Sequence, residues 1–535
     1  MSAAPRQPGV RAAAAAVLTA IPWLSPATFG PSSTVVPWLV SAACALVVWL
    51  LAVPATRERL GLVVLALAVA AVATLLHPAS AQENAYLAAG LLLVAVGGAP
   101  AGDGELTQGF CAGLLMAAAG SAVIALLQYF GAAHALVPMV SAASIGDAYA
   151  NLRQPNQFST LCWLGVAVLL FGRIGVGRRA QFVLMALLAV ASAATTSRTA
   201  LLQMALLAAA LLAWPSAERG HRWRMLGVAA LGYAAALVLL PWIAQAATGV
   251  LPSRTLWGRV GSIDSCSSRR VLWEDVLHLV AQRPWAGWGW GELDYAHFVT
   301  PYPGARFCDI LDNAHNFALH LAVELGVPFA VLACAGAAVW GLRRRPWAEA
   351  DPLRQLAWML AGMVLVHSLL EYPLWYGPFQ IVFGAALAWL GAGTVSRWSW
   401  PPLARVVVGV AGLCLVAAAA WDYVLASQAY LPVKQRWAAA REDPLATARR
   451  ARLFASQATF AELTLTAPSR ANATAVWAQS QAMLHYSPEP RVVERAIDSA
   501  LLLGKDQEAA VLLARYKAAF PKDAQRYLAA PRAQD

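Results

Sequence analysis

Thirteen apolar runs, each bounded by turn residues or charges, occupy most of the first 425 residues. They lie near 10–28, 35–53, 60–77, 84–98, 108–131, 157–172, 180–195, 198–214, 223–243, 315–341, 353–372, 375–395 and 404–425. The hydrocarbon core of a bilayer is about 30 Å thick, and roughly 20 helical residues cross it. Within lipid every peptide group must find its partner inside the protein, so a run of this length spans as a helix. The expected fold is all-α, a polytopic membrane protein with about 12–13 transmembrane helices. The first run follows a basic N-terminus and lacks a convincing cleavage site, so it reads as a retained span and not as a signal peptide.

The charges agree. Of 535 residues, 59% are hydrophobic and 13% are charged, about half the roughly 25% charged share of an average soluble chain. That excludes an ordinary soluble enzyme and a disordered protein. A net charge of +11 hints at nucleic acid, but its distribution argues against that partner. Up to residue 425 there are 24 Arg, no Lys and 18 Asp+Glu. The last 110 residues hold 15 Lys+Arg and 10 Asp+Glu, including all four lysines, Lys434, Lys505, Lys517 and Lys522. The tail therefore has the charge density of a soluble unit.

Short loops rich in Arg face the cytoplasm. With the N-terminus inside, sixteen of the 24 arginines fall on that side: Arg6, Arg11, Arg57, Arg59, Arg173, Arg178, Arg179, Arg219, Arg222, Arg224, Arg343, Arg344, Arg345, Arg354, Arg397 and Arg405. Arg153 and Arg198 then face outward in short loops, and six more lie in one long outer loop. The division is residues 1–243 for N-terminal spans, 244–314 for the loop, 315–425 for C-terminal spans and 426–535 for the outer tail. The tail reads as short helices near 435–441, 444–458, 471–484, 490–503 and 506–519, without a clean 34-residue repeat. Arg198 sits in Ser197-Arg198-Thr199 between two apolar runs with almost no loop around it. A guanidinium at that depth usually faces a polar cavity or partner, and it binds phosphate well.

In the loop, Arg269 to Val280 has apolar positions at helical spacing before the breaker Pro284. It reads as an amphipathic helix on the membrane or on the spans. Gly287-Trp288-Gly289-Trp290-Gly291 follows and suits either an interfacial aromatic belt or a turn of close backbone approach. Cys266 and Cys308 are the only cysteines of the loop. On an oxidising side they are expected to form a disulfide. Cys44, Cys111, Cys162, Cys334 and Cys414 fall within spans and read as small buried apolar residues.

No H-E-x-x-H, G-x-S-x-G, metal-spaced Cys/His cluster or D-x-D occurs. No metal or cofactor is expected. Four polar clusters instead mark the outer ends of spans. They are Asn151-Leu152-Arg153-Gln154-Pro155-Asn156-Gln157-Phe158, Thr196-Ser197-Arg198, Asp312-Asn313-Ala314-His315-Asn316-Phe317 and the run from His367 to Tyr376. Four clusters on one leaflet point to a shared outward-facing site. Singly, each has a bland reading: Asp312 and Asn313 as caps beside His315, Pro155 as a helix start, and Glu371 as a structural partner of an Arg.

In order along the chain, QPNQ (Gln154–Gln157), SRT (Ser197–Thr199), Ser267, Arg269 and Trp273 with P-W-A-G-W-G-W-G, DNAHN (Asp312–Asn316) and EYPLWY (Glu371–Tyr376) resemble the O-antigen ligase/polymerase superfamily of bacterial inner-membrane glycosyltransferases. Within it the chain is most similar to protein O-oligosaccharyltransferases of the PglL type. The resemblance implies an inner-membrane location and an undecaprenyl-pyrophosphate-linked glycan as donor. It implies a Ser or Thr hydroxyl of an exported, pilin-like protein as acceptor, with membrane lipids as surroundings. It assigns catalytic roles to His315, Tyr372 and Gln157, and donor pyrophosphate binding to Arg198 and Arg269, with Arg270 and Arg153 nearby. Asn156, Asp312, Asn316 and Glu371 are supporting residues.

The chemistry is coherent. Fixed arginines stabilise the charge that leaves on pyrophosphate, and His315 takes or orients the acceptor proton. Direct displacement would invert the anomeric centre. Alternatives on the same fold are an O-antigen ligase acting on lipid A–core and an O-antigen polymerase. A transporter or flippase is the rival from another class, but it should show internal repeats and midplane polar sites.

Overall fold

The apolar runs fold as helices because lipid leaves the backbone no other partner. The computed structural model describes residues 9–52, 68–69, 71–75, 77, 81–172, 174–252, 266–391 and 401–530, and every regular element among them is helical. The run expected at 60–77 lies largely outside the described residues, as do Arg6, Arg57, Arg59, Arg173, Arg254, Arg259 and Arg397.

Among the described residues four helices are long and apolar enough to cross a bilayer: Gly104–Tyr129, Arg219–Thr248, Val327–Ala348 and Leu403–Ser427. Val10–Leu24, Val35–Leu51, Pro155–Phe171, Thr199–Ala213 and Gly377–Gly391 are shorter apolar helices. The chain is an all-α polytopic membrane protein. Pro155–Phe171 is the central helix, and every residue from Gln157 to Phe171 is buried. A helix apolar on all faces must be enclosed by others. Gly109 and Gly113 lie so near the carbonyls of Ala12 and Ala16 that a methyl group would collide, the close approach that small residues allow between membrane helices. Val327–Arg343 and Pro402–Ser427 are peripheral instead. Leu332 is 73% and Leu415 70% exposed, and such surface suits lipid rather than water. Cys334 and Cys414 are exposed on these helices, which corrects the expectation that all five span cysteines are buried.

Arginines assigned to the inner side gather at one end and satisfy the orphan carbonyls of helix C-termini. Arg11 and Arg405 donate to the carbonyls of Leu51 and Leu50, each at 2.7 Å. Arg354 reaches Leu390 at 3.0 Å, and Arg344 donates to the same carbonyl.

Where one span was expected at 315–341, there are two helices, Phe317–Leu325 and Val327–Arg343. Gly326 separates them at φ +90°, pressed against the Trp285 carbonyl. The Gly–Trp stretch causes the break. Trp288 and Gly289 N–H donate to the carbonyls of Val323 and Glu324 at 2.8 and 3.0 Å, and Val327 N–H donates to Pro284 at 2.8 Å. Trp288 Nε1 donates to Leu279 at 3.0 Å. These residues clamp the end of a helix, and of this stretch's tryptophans only Trp285 is exposed.

The helix expected after Arg269 spans Arg269–Gln282 and is capped by Ser268. It does not lie flat on a membrane surface. Leu272, Val276 and Leu279 pack with Leu293, Ala296, Phe307, Leu311, Ala314 and Val323. In the tail, 435–441 contains only short 3-10 turns, and 444–458 divides into Pro444–Ala448 and Ala455–Leu465. Asp422 imposes that division by accepting from the N–H groups of Arg452 and Phe454 at 2.7 and 2.9 Å. Ala473–Tyr486, Pro490–Leu502 and Asp506–Ala519 complete the expected helices, and Pro521–Ala529 follows them.

Gly326→Ala should lower stability by about 1–3 kcal/mol, from left-handed strain added to the collision. Thermal unfolding in detergent against Gly336→Ala, whose added methyl would meet open space, measures it.

Candidate active site

The helix Pro352–Ser368 ends one turn before Pro373, and its last carbonyls bend the chain back. Glu371 N–H donates to His367 at 2.9 Å, which turns its carboxylate into the protein at 7% exposure. A buried carboxylate is costly unless its oxygens are satisfied. Here three elements supply donors. Arg269, at the start of the loop helix, gives Nη2 to Oε1 in an ion pair, and its Nε donates to the Leu370 carbonyl at 3.0 Å. Asn156, in the first turn of the central helix, donates Nδ2 to Oε1 at 2.9 Å. His315 donates Nδ1 to Oε2 at 2.8 Å.

Burial would raise the Glu371 carboxyl, but the His315 hydrogen bond and charge, followed by the Arg269 charge, outweigh it and hold the group below its ordinary 4.5. The site therefore contains a carboxylate, with a cation on one side and an imidazole on the other.

His315 is at φ +49°, a left-handed conformation uncommon for a residue with a side chain. Its N–H donates to Asn313 Oδ1 at 2.9 Å, and Trp273 Nε1 donates to the preceding carbonyl of Ala314 at 3.1 Å. The Tyr372 ring meets it edge-on at 5.1 Å. With Nδ1 committed to Glu371, Nε2 is the nitrogen left for chemistry. The helix cap here is Asn316, not Asp312 or Asn313. Asn316 Oδ1 accepts from Leu319 N–H at 3.2 Å, and its Nδ2 donates to the Leu369 carbonyl at 3.3 Å. Asp312 keeps contact with solvent at the surface, yet crowding by protein raises its carboxyl against the lowering charge of His315.

Ser197 extends the cluster by donating Oγ to Asn156 Oδ1 at 2.7 Å. Arg198, next in the chain, is exposed, and its guanidinium has no hydrogen bond or ion pair among the described residues. Arg269 is not open in this way, since two of its nitrogens are committed. Gln157 lies one step further out. Its side chain lies near Tyr376, whose ring stacks with that of Tyr372 at 5.9 Å, so two tyrosines stand between Gln157 and His315. Beneath the site His367 is fully buried, with Nδ1 3.0 Å from Thr160 Oγ1.

Two residues expected to bind the donor do not contact the Glu371 cluster. Arg270 points to solvent and pairs with Glu274 at 3.0 Å, because neighbours on a helix are about 100° apart. Arg153, at φ +60°, donates to the Pro26 carbonyl at 2.6 Å and serves as a loop anchor. Cys266 and Cys308 are bonded, Cα–Cα 5.4 Å, three residues before Arg269. Ser197 and Tyr376 were quoted within motifs but not ranked as site residues. For Ser197, the nearly loop-free SRT turn was the available signal. Among the described residues no group of three metal-ligating side chains converges.

Replacing Glu371 with Gln should destabilise the protein by about 1–3 kcal/mol at pH 7, since Arg269 and His315 lose their shared anion. The depressed carboxyl contributes fully above its ordinary value and loses that contribution as pH falls through and below it. The gap between wild type and Glu371→Gln in thermal unfolding should therefore close on acidification below 4.5. Cys266→Ser should lower loop stability by about 2–4 kcal/mol. It should also abolish the reduction-dependent shift in gel mobility, whereas two titratable thiols in untreated protein would contradict the bond.

Two family matches bracket this geometry. Residues 182–334 match the O-antigen ligase family, and 355–534 match the C-terminal part of the virulence factor membrane-bound polymerases. The first contains Ser197, Arg198, Arg269 and His315, and the second contains Glu371, Tyr372 and the C-terminal helices. A general O-oligosaccharyltransferase of Acinetobacter baylyi is 25% identical over 290 residues, 52% of this chain. The chain spans about half the length of that relative, 50%. Arg269 and His315 fall in the first matched region and Glu371 in the second, while Asn156 precedes both; together the matches support an O-antigen ligase superfamily protein.

Proposed function

We propose that this protein transfers an oligosaccharide en bloc from undecaprenyl pyrophosphate to Ser or Thr hydroxyls of exported proteins. The reaction would take place at the periplasmic face of the bacterial inner membrane, with the N-terminus cytoplasmic and the loop and C-terminal helices periplasmic. The observation that carries the reading is the Arg269–Glu371–His315 cluster beside the uncommitted Arg198. It supplies a base and a cation at one place, within a superfamily of glycan-transferring enzymes.

The acceptor hydroxyl loses its proton to His315 Nε2 while its oxygen bonds the anomeric carbon. The bond from that carbon to the phosphate oxygen breaks, and the electron pair leaves on pyrophosphate. Glu371 holds the imidazole tautomer and balances the imidazolium that forms. Arg198 and the remaining Nη1 of Arg269 face the growing anionic charge, where fixed donors contribute most. One displacement inverts the anomeric centre, and the guanidinium charges supply the anion stabilisation without requiring a metal. Tyr372, stacked on Tyr376, walls the imidazole. The match of residues 182–334 to the O-antigen ligase family favours a second reading, transfer to lipid A–core or chain extension by the same chemistry.

Reconstitution with a lipid-linked pyrophosphate glycan, offering a pilin-like protein and lipid A–core side by side, separates these readings by which acceptor gains mass. His315→Ala should lower transfer by about 10²–10⁴-fold. Arg198→Ala should raise the donor KM and lower kcat, while Arg270→Ala should leave both near wild type. Wild-type transfer by a folded His315→Ala protein would refute the assignment.

A further inference from the structure

A short helix, Leu293–Val299, joins the C-terminal helices to the catalytic loop, and its two faces belong to different cores. On one face Phe298, 2% exposed, is a member of the C-terminal core with Leu463, Val476, Leu484, Ile497 and Tyr516. Tyr295 stacks on His485 at 3.7 Å, and His485 Nδ1 pairs with Glu292 at 2.7 Å. On the other face Leu293 and Ala296 pack with Leu272 and Val276 of the Arg269 helix, and with Leu311 and Ala314 just before His315.

Polar contacts stiffen the same path. Buried His297 meets the Tyr302 hydroxyl at 2.8 Å and the Phe307 carbonyl at 3.2 Å. Phe307 N–H donates to Asp275 of the Arg269 helix at 2.9 Å. Arg306 donates to the carbonyls of His297 and Thr300 at 2.7 and 3.0 Å. The next residue, Cys308, is bonded to Cys266, three residues from Arg269.

We propose that Phe298 is a positioning residue: through it the C-terminal helices hold Arg269 and His315 in place on Glu371, so that the C-terminal unit sustains turnover as well as any capture of the acceptor. The inference rests on the glycan-transfer reading for its kinetic consequence, but its mechanical content stands apart from it. A short helix anchored in one core by Phe298 and in the other by Leu293 and Ala296 transmits position, because packed interiors deform little. Small displacements of reacting groups are costly, up to about 10²-fold for an ångström.

The test uses the full-length chain in detergent with Phe298→Ala, Phe298→Leu and His485→Ala, read by hydrogen exchange and by transfer kinetics. Exchange over residues 266–283 and 309–316 should quicken roughly tenfold in Phe298→Ala and return close to wild type in Phe298→Leu. Turnover at saturating acceptor should fall about tenfold or more in Phe298→Ala, with the acceptor KM changed by less than about twofold. Unchanged exchange, or an effect confined to the acceptor KM, overturns the proposal. If Phe298→Ala does not fold, His485→Ala decides. Faster exchange at 309–316 on loss of the rim contact supports the proposal, and none refutes it. Exchange needs no substrate, so failure of transfer by every protein, wild type included, would refute the glycan-transfer reading and leave the positioning result standing.

Discussion

A single buried carboxylate organises one end of this molecule. Glu371 can be buried only if its oxygens are satisfied, and the donors arrive from the loop helix through Arg269, the central membrane helix through Asn156 and the segment before Phe317–Leu325 through His315. A carboxylate left without them would face a desolvation cost of several kcal/mol. The four elements are therefore bound to one another at the place where the chemistry is proposed to occur. His315 in its left-handed conformation is over-determined by this arrangement, as strained residues at functional sites generally are.

The remainder of the fold supports that point. The all-round apolar helix Pro155–Phe171 is enclosed, so Asn156 starts from a rigid base. The Gly–Trp clamp divides one expected span into two and frees the DNAHN segment to bend toward Glu371. The disulfide ties the segment before Arg269 to the segment before His315. At the far end, arginines cap helix carbonyls, which keeps the charge of the membrane half away from the lipid-facing surface.

Much of this was legible residue by residue. Apolar length and the requirement for internal hydrogen bonding revealed helices, because lipid removes the alternatives. DNAHN, SRT and EYPLWY stood out because polar residues at the end of a span need a reason to be there. Arg270 stands apart from the Glu371 cluster because a doublet in sequence becomes two faces of a helix, and only the helix phase tells the neighbours apart. Arg153 was not placed by pattern alone, because a backbone carbonyl with no sequence signature, that of Pro26, accepts its guanidinium. The span at 315–341 was drawn whole because Gly326 looks harmless until the Trp285 carbonyl presses against it.

By itself the sequence determined the all-α membrane architecture and the short list of polar motifs, since these follow from local length, charge and composition. Only the tertiary structure decided which motif residues share a carboxylate, which arginine stays uncommitted and which face of Leu293–Val299 meets the C-terminal helices. Those outcomes depend on partners up to several hundred residues away, and no local pattern encodes where such partners meet.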